Sequence, residues 1–290
     1  MIWLILCVLS SAMIFVLFRS FPKWGAHTFP AIVVNYAVAA TLGLFMLDDG
    51  YPLLEKTSET WVQGGLAIGV LFITLFYLMA FTSQRVGVGV TSVATKMSLV
   101  LPVAWFMLTD PEDQPTILKV SAVSLAIVGV VLTSRRKRKG EFNWSYALFP
   151  VIIFIGSGII DLTLGHFSQG HLQSESDKYL FASTPFITAV VLGSGALVVR
   201  ATQGKPIFNL PTLLGGALLG LVNFGSIYFI VLTFDARILD RSAIIPLNNL
   251  GTVLLSALAA GFLFRERFSR ANLLGLALSI VAIGILLFTE

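Results

Sequence analysis

Ten stretches of about 20 residues, nearly free of charge, follow one another down this chain with only short connectors between them. A helix needs about 20 apolar residues to cross the hydrocarbon of a bilayer, and a barrel strand needs about 10 of alternating polarity. The runs here are continuous, so they predict helices. They fall at about 2–18, 29–47, 61–81, 88–108, 115–134, 145–165, 178–199, 211–234, 238–264 and 269–289. What is left over is too short for a water-soluble domain.

Charge agrees with this reading. Only 12% of residues are charged, about half the ~25% of a soluble domain. A soluble enzyme, a disordered chain and a nucleic-acid binder are excluded together. The net charge of +4 comes with one dense basic run, Arg135-Arg136-Lys137-Arg138-Lys139, confined to a single connector. Cys7 is the one cysteine, so no internal disulfide forms. No basic segment precedes the first apolar run, and that run is therefore expected to be kept as a span rather than cleaved. Phe21-Pro22-Lys23-Trp24-Gly25, Asp48-Asp49-Gly50-Tyr51-Pro52 and Asp110-Pro111-Glu112-Asp113-Gln114-Pro115 separate neighbouring spans, because Pro, Gly and clustered charge stop a helix.

Comparing the chain with itself exposes a repeat. Gly64, Gly65, Gly69, Tyr77 and Thr82 recur as Gly215, Gly216, Gly220, Tyr228 and Thr233, all at an offset of 151. Ser124 and Gly129 recur as Ser279 and Gly284 at an offset of 155, a difference of about one helical turn. The chain thus divides into a first five-helix repeat over 1–134, a basic connecting loop over 135–144 and a second five-helix repeat over 145–290. Five spans is an odd number, so the second repeat enters the membrane in the opposite sense. The fold class expected is an all-α membrane protein of ten transmembrane helices in two inverted five-helix repeats. The Gly65/Gly69 and Gly216/Gly220 pairs have the small-xxx-small spacing of close helix packing, and that is the role read for them.

Lys and Arg in short loops favour the cytoplasmic side. Thirteen lie in the odd-numbered connectors and four in the even-numbered ones. The odd connectors, with loop 135–144, are therefore expected in the cytoplasm and both termini outside.

Polar residues at membrane depth carry the functional reading, since an ionisable group there costs ~2.5–3.5 kcal/mol or more. Lys96 lies in the middle of span four. Asn248 and Asn249 lie near the equivalent depth of span nine, within about one turn of the position the repeat aligns with Lys96. Asp161 lies late in span six, Asn35 in span two and Asn223 in span eight, and Tyr77 and Tyr228 carry hydroxyls in spans three and eight. Read as one substrate-binding pocket, Lys96 supplies a cation for a carboxylate or phosphate and the amides supply donors and acceptors. Asp161 pairs with Lys96 or carries a proton. The competing use of the same residues is structural, as fixed ion pairs and helix-to-helix hydrogen bonds. Asp235, Arg237, Asp240 and Arg241 read as an interfacial charge cluster or gate, and Glu266 as a loop anchor. His27, His166 and His171 lie at loops or span ends, so no metal site is expected. No phosphate-cradling loop and no supported nucleophile set is present, so neither a cofactor nor enzymatic activity is expected.

The layout resembles the drug/metabolite transporter superfamily, in particular its EamA-like family. The strongest matching stretch is Pro246-Leu247-Asn248-Asn249 through Phe264-Arg265-Glu266-Arg267 to Asn272-Leu273-Leu274-Gly275. Its weaker first copy runs from Pro102 through Glu112 to Gly129, and the loop Asp110–Pro115 departs from the family's Gly-Glu turn. The resemblance implies a secondary transporter of the inner membrane that exports a small organic metabolite by alternating access. Lys96 turns that expectation towards an anionic or zwitterionic substrate such as an amino acid. Relatives that carry phosphorylated sugars are similar in using a lysine in span four. The expected partners are the substrate, the lipid bilayer, and a proton or counter-substrate for coupling, with a monomer or homodimer as the working form. The rival readings are an intramembrane lipid flippase or enzyme, and a non-transporting membrane scaffold.

Overall fold

A computed structural model describes residues 1–101, 104–105, 116–134, 144–168, 172, 174–236, 241–266 and 268–289. Among them every regular element is helical. The long helices are α1 (Ile2–Ser20), α2 (Thr28–Leu44), α3 (Thr60–Arg85), α4 (Val88–Lys96), α5 (Ile117–Ser134), α6 (Trp144–Ser168), α7 (Glu175–Thr202), α8 (Leu210–Asp235), α9 (Arg241–Phe264) and α10 (Arg270–Thr289). Among the described residues five stretches are long and apolar enough to cross a membrane: Ile2–Trp24, Thr60–Arg85, Glu175–Thr202, Leu210–Ile230 and Leu247–Phe264. Shorter apolar segments are Thr28–Leu44, Ile117–Gly129, Leu148–Thr163 and Arg270–Ile285. Hydrocarbon offers the backbone no hydrogen-bond partner, and a helix is the one local structure that satisfies all of it within a segment. Large apolar side chains such as Val191, Val198, Leu214 and Phe262 are left exposed on the helix surfaces.

The connectors end helices where the sequence says they should. Phe21–Trp24 is a 3-10 turn that Gly25 closes at φ +70°, a left-handed conformation open to glycine. The fourth apolar run differs from expectation. It is not one α-helix over 88–108. After Lys96 it tightens into a 3-10 turn over Met97–Leu99 before α-helix resumes at Val100 and Leu101. The loops Asp110–Pro115 and Arg135–Lys139 lie outside the described residues, as do Arg237 and Asp240.

The chain forms two compact units. Unit 1 takes Met1–Arg19, Leu78–Asp161 and Tyr228–Glu290; unit 2 takes Ser20–Tyr77 and Leu162–Ile227. In unit 1, α5 packs along α10 and α4 along α9. Its core joins Val93, Met97, Ala122, Ala126, Val253 and Ile283. A Cβ on Gly129 would come within 2.4 Å of Ser279 Oγ, so the α5–α10 seam depends on the missing side chain.

In unit 2, α2 packs along α7. The two glycine pairs work reciprocally there. A Cβ on Gly69 would meet the Pro185 carbonyl of α7 at 2.6 Å, and one on Gly216 would meet the Ala31 carbonyl of α2 at 2.6 Å. Backbone cannot step aside for a methyl as a side chain can. Tyr36, fully buried, donates its hydroxyl hydrogen to the Phe72 carbonyl at 2.8 Å and stacks on Phe186. The start of α7 is fixed by polar contacts. Ser174 and Asp177 form a reciprocal capping box, Lys56 Nζ lies 3.2 Å from Asp177, Tyr51 donates to the same carboxylate, and Ser176 donates to Asp48 at 2.7 Å.

Candidate functional site

The site is built on the broken helix that carries Lys96. Its sequence, Thr91-Ser92-Val93-Ala94-Thr95-Lys96-Met97-Ser98, is rich in hydroxyls, and in an apolar core a hydroxyl needs an acceptor. Thr91 donates to the Gly87 carbonyl at 2.8 Å, Ser92 to Gly89 at 3.0 Å, Thr95 to Thr91 at 2.9 Å and Ser98 to Thr95 at 2.6 Å. Such back-bonding competes with the helix ladder and bends it. The 3-10 turn follows directly, a break of the kind found in helices at functional bends or under local strain. The Lys96 carbonyl at this junction is taken by the Asn249 side chain, whose Nδ2 donates to it at 3.2 Å.

The other end of α4 is held from a distance. Val88 N donates to Glu266 Oε1 at 3.0 Å, which puts a carboxylate at the positive end of the helix. Gly87 has φ +140°, and a Cβ there would sit 2.7 Å from Glu266 Oε2, so glycine serves both the backbone and the approach of the carboxylate. Arg19 Nε lies 3.9 Å from Glu266 and the same guanidinium donates to the Ser83 and Gln84 carbonyls. Glu266 is an anchor, and its partners are the start of α4 and the end of α1.

Around this 3-10 turn, unit 1 gathers four of the residues singled out in the sequence. Lys96 is half-buried, and among the described residues its ammonium has no hydrogen bond and no ion pair within 4 Å. It interacts electrostatically with Asp161 and with Cys7. Asp161, exposed on α6, is bonded to Ser98, which donates to its Oδ2 at 2.7 Å. Asn248 and Asn249, both buried on α9, present their amides to α1 and α4 respectively. Cys7 Sγ, buried on α1, donates to Asn248 Oδ1 at 3.2 Å. Cys7 and Ser98 are members that the sequence reading missed. Ser98 had a signal, two residues past a buried-depth lysine, whereas nothing local links Cys7 to a residue 241 positions away.

The remaining candidates are placed elsewhere. Asn35 and Asn223 belong to unit 2, where Asn223 Nδ2 donates to Asn35 Oδ1 at 3.1 Å and Asn35 Nδ2 reaches the Ile32 carbonyl at 3.3 Å. Both are buried and tie α2 to α8 beside Gly220. Tyr77 is also in unit 2, exposed and edge-on to Phe29 at 5.7 Å. Tyr228, in unit 1, is half-buried and tilted against Phe229 at 5.9 Å; Phe229 in turn stacks on Trp3. His27 N donates to Thr212 Oγ1 at 2.8 Å, and the side chains of Asp235, Arg241, His166 and His171 lie outside the described residues. Among the described residues no three side chains converge as a metal site.

No family model matches the chain. An uncharacterized protein of Haemophilus influenzae is 25% identical over 295 residues, covering 99% of this chain and 98% of its own. A solved crystal structure of a protein is similar with a TM-score of 0.60 at 14% identity, over 96% of this chain and 95% of the other. The second likeness is one of fold across nearly the whole length, and the first is one of sequence over the same extent.

Proposed function

We propose that the chain is a secondary transporter of the EamA-like kind, built as two inverted five-helix repeats in the inner membrane, that exports a small anionic or zwitterionic metabolite by alternating access. The observation that carries this reading is Lys96. A half-buried ammonium with no ion pair within 4 Å among the described residues, beside a 3-10 break in an apolar helix, is a costly arrangement that a purely structural helix has no use for. Asn248 and Asn249 flank it with neutral amides, and Asp161 adds an exposed carboxylate. Exposed charge on an apolar helix is tolerated in a membrane where it meets water or a ligand.

The packing supports the repeat. Under the 151–155 offset, α2 corresponds to α7, α4 to α9 and α5 to α10. Each of these pairs packs together within one unit. The glycine stripe of α3 seats α7 and that of α8 seats α2, the exchange expected of two repeats related by an axis. The weighting of basic residues towards the odd connectors supports a cytoplasmic loop 135–144.

The test is Lys96→Ala in proteoliposomes, with the substrate found first by stabilisation of the purified protein. A ligand at 100 times its Kd adds about 2.7 kcal/mol to apparent stability. The variant is expected to insert and purify like the natural chain, and to lose both the stabilisation and the flux. Undiminished transport by Lys96→Ala would falsify the site.

A further inference from the structure

The hairpin that joins α9 to α10 turns at an arginine where the backbone favours glycine. Among the described residues Arg265 is the one non-glycine with positive φ, at +52°, and past it Glu266 N turns back to the Ala260 carbonyl at 3.0 Å. A helix that ends on a left-handed residue usually has glycine there, because a Cβ is strained in that conformation. Arg265 is exposed, and so is Arg270 at the start of α10. Neither has a hydrogen bond or ion pair among the described residues. Basic groups at other helix ends are engaged: Arg19 with the Ser83 carbonyl, Lys56 with Asp177 and Arg200 with the Pro206 carbonyl. Glu266, which lies between the two arginines in sequence, is turned to Val88 N and Arg19.

An exposed apolar face leads up to each arginine. On α9 it is Leu254, Leu258 and Phe262, one helical turn apart, with Arg265 less than a turn further on. On α10 it is Leu273, Leu274, Ala277 and Val281, which share one side of the helix with Arg270. The two helices pack on each other within unit 1, and the hairpin brings both arginines to the same end. From Arg270 to Val281 the chain rises about 16 Å, and from Leu254 to Arg265 about the same. Half of a ~30 Å hydrocarbon core is about 15 Å, so each face is one leaflet deep.

We propose that the α9–α10 hairpin binds one anionic phospholipid, its phosphate held by Arg265 and Arg270 and its acyl chains laid along the two apolar faces. The proposal rests on the membrane placement in the reading above, and on neither Lys96 nor the substrate. Guanidinium groups match phosphate oxygens in geometry as well as charge. Two of them without an acidic partner favour a headgroup with net negative charge over one whose phosphate is offset by its own ammonium. The apolar faces favour a lipid over free phosphate. In the proposed orientation this end is cytoplasmic, where anionic lipids meet basic groups between helices.

The test is native mass spectrometry of the full chain in detergent, titrated with phosphatidylglycerol or with phosphatidylcholine of the same acyl chains. The natural chain is expected to bind one phosphatidylglycerol in preference to phosphatidylcholine. Arg265→Gly and Arg270→Gln are each expected to weaken phosphatidylglycerol binding about fivefold and to leave phosphatidylcholine binding unchanged. Arg265→Gly removes the backbone strain, so its Tm without lipid should be equal or higher, which separates lost binding from lost folding. The basic run 135–139 is untouched in both variants. Equal binding of the two lipids by the natural chain overturns the proposal. So does a preference that survives in the double variant, since it then belongs to other basic groups. Inorganic phosphate that competes fully for the site reduces it to a free-anion site, and a dimer that both variants abolish gives the surface to a second copy; either result overturns it. Lys96→Ala is read by flux and the arginine variants by lipid preference, so either reading can fail while the other stands.

Discussion

Tyr51 donates its hydroxyl hydrogen to Asp177, a buried carboxylate that Lys56 also holds at the start of α7. Burial first, then the hydrogen bond to Asp177 and the charge on it, push the Tyr51 hydroxyl above its ordinary range. A group raised in the folded state contributes stability that is whole below its unfolded value of about 10 and is lost as pH rises through the folded one. Tyr51→Phe is expected to cost about 1 kcal/mol at neutral pH and to flatten the alkaline loss of stability. Thermal unfolding in detergent at neutral and alkaline pH checks both. At this scale the sequence was legible where a residue contradicted its surroundings. Lys96, Asn248, Asn249 and Asp161 stood out because each is polar in an apolar run. Cys7 did not, because a buried thiol looks like any small apolar side chain until its partner is known. Asn35 and Asn223 stood out for the same reason as Lys96, and the structure shows them holding each other.

Helix ends followed local chemistry, which is why Phe21–Gly25 and Asp48–Pro52 could be read from Pro, Gly and charge alone. The break after Lys96 could not, since Met97, Ser98 and Leu99 include no helix breaker, and the break is sustained by Asn249 from another helix. The start of α4 is equally non-local. Removing its carboxylate by Glu266→Ala is expected to cost about 1 kcal/mol and to lower the hydrogen-exchange protection of amides 88–91. Glu266→Gln keeps an acceptor for Val88 N and should retain most of that protection. Between helices, the glycine stripes set the spacing. Gly69→Ala drives a methyl against the Pro185 carbonyl and is expected to cost about 1–3 kcal/mol, seen as a lower Tm. Gly284, the repeat counterpart of Gly129, has open space around its added Cβ, so Gly284→Ala should leave Tm unchanged or raise it.

Over the whole molecule, neighbours in sequence are separated and distant helices are joined. Unit 1 collects three separate segments of the chain and unit 2 the two stretches between them, and the boundaries fall at the end of α1 and within helices α3, α6 and α8. Composition made the all-helical, apolar character legible, because that property is additive along the chain. Membership of a unit is not additive, and it became visible only through contacts such as Gly129 with Ser279 and Asn249 with Lys96. This interleaving has a consequence for biosynthesis. The seat that α5 offers at Ala122, Ala126 and Gly129 is filled by α10, which begins at Arg270, about 150 residues later. At about 5–20 residues per second, a ribosome takes about 8–30 s to deliver it. Throughout that interval the newborn α5 is without the helix that covers its seam, so a helix made about 150 residues later is the one that closes it.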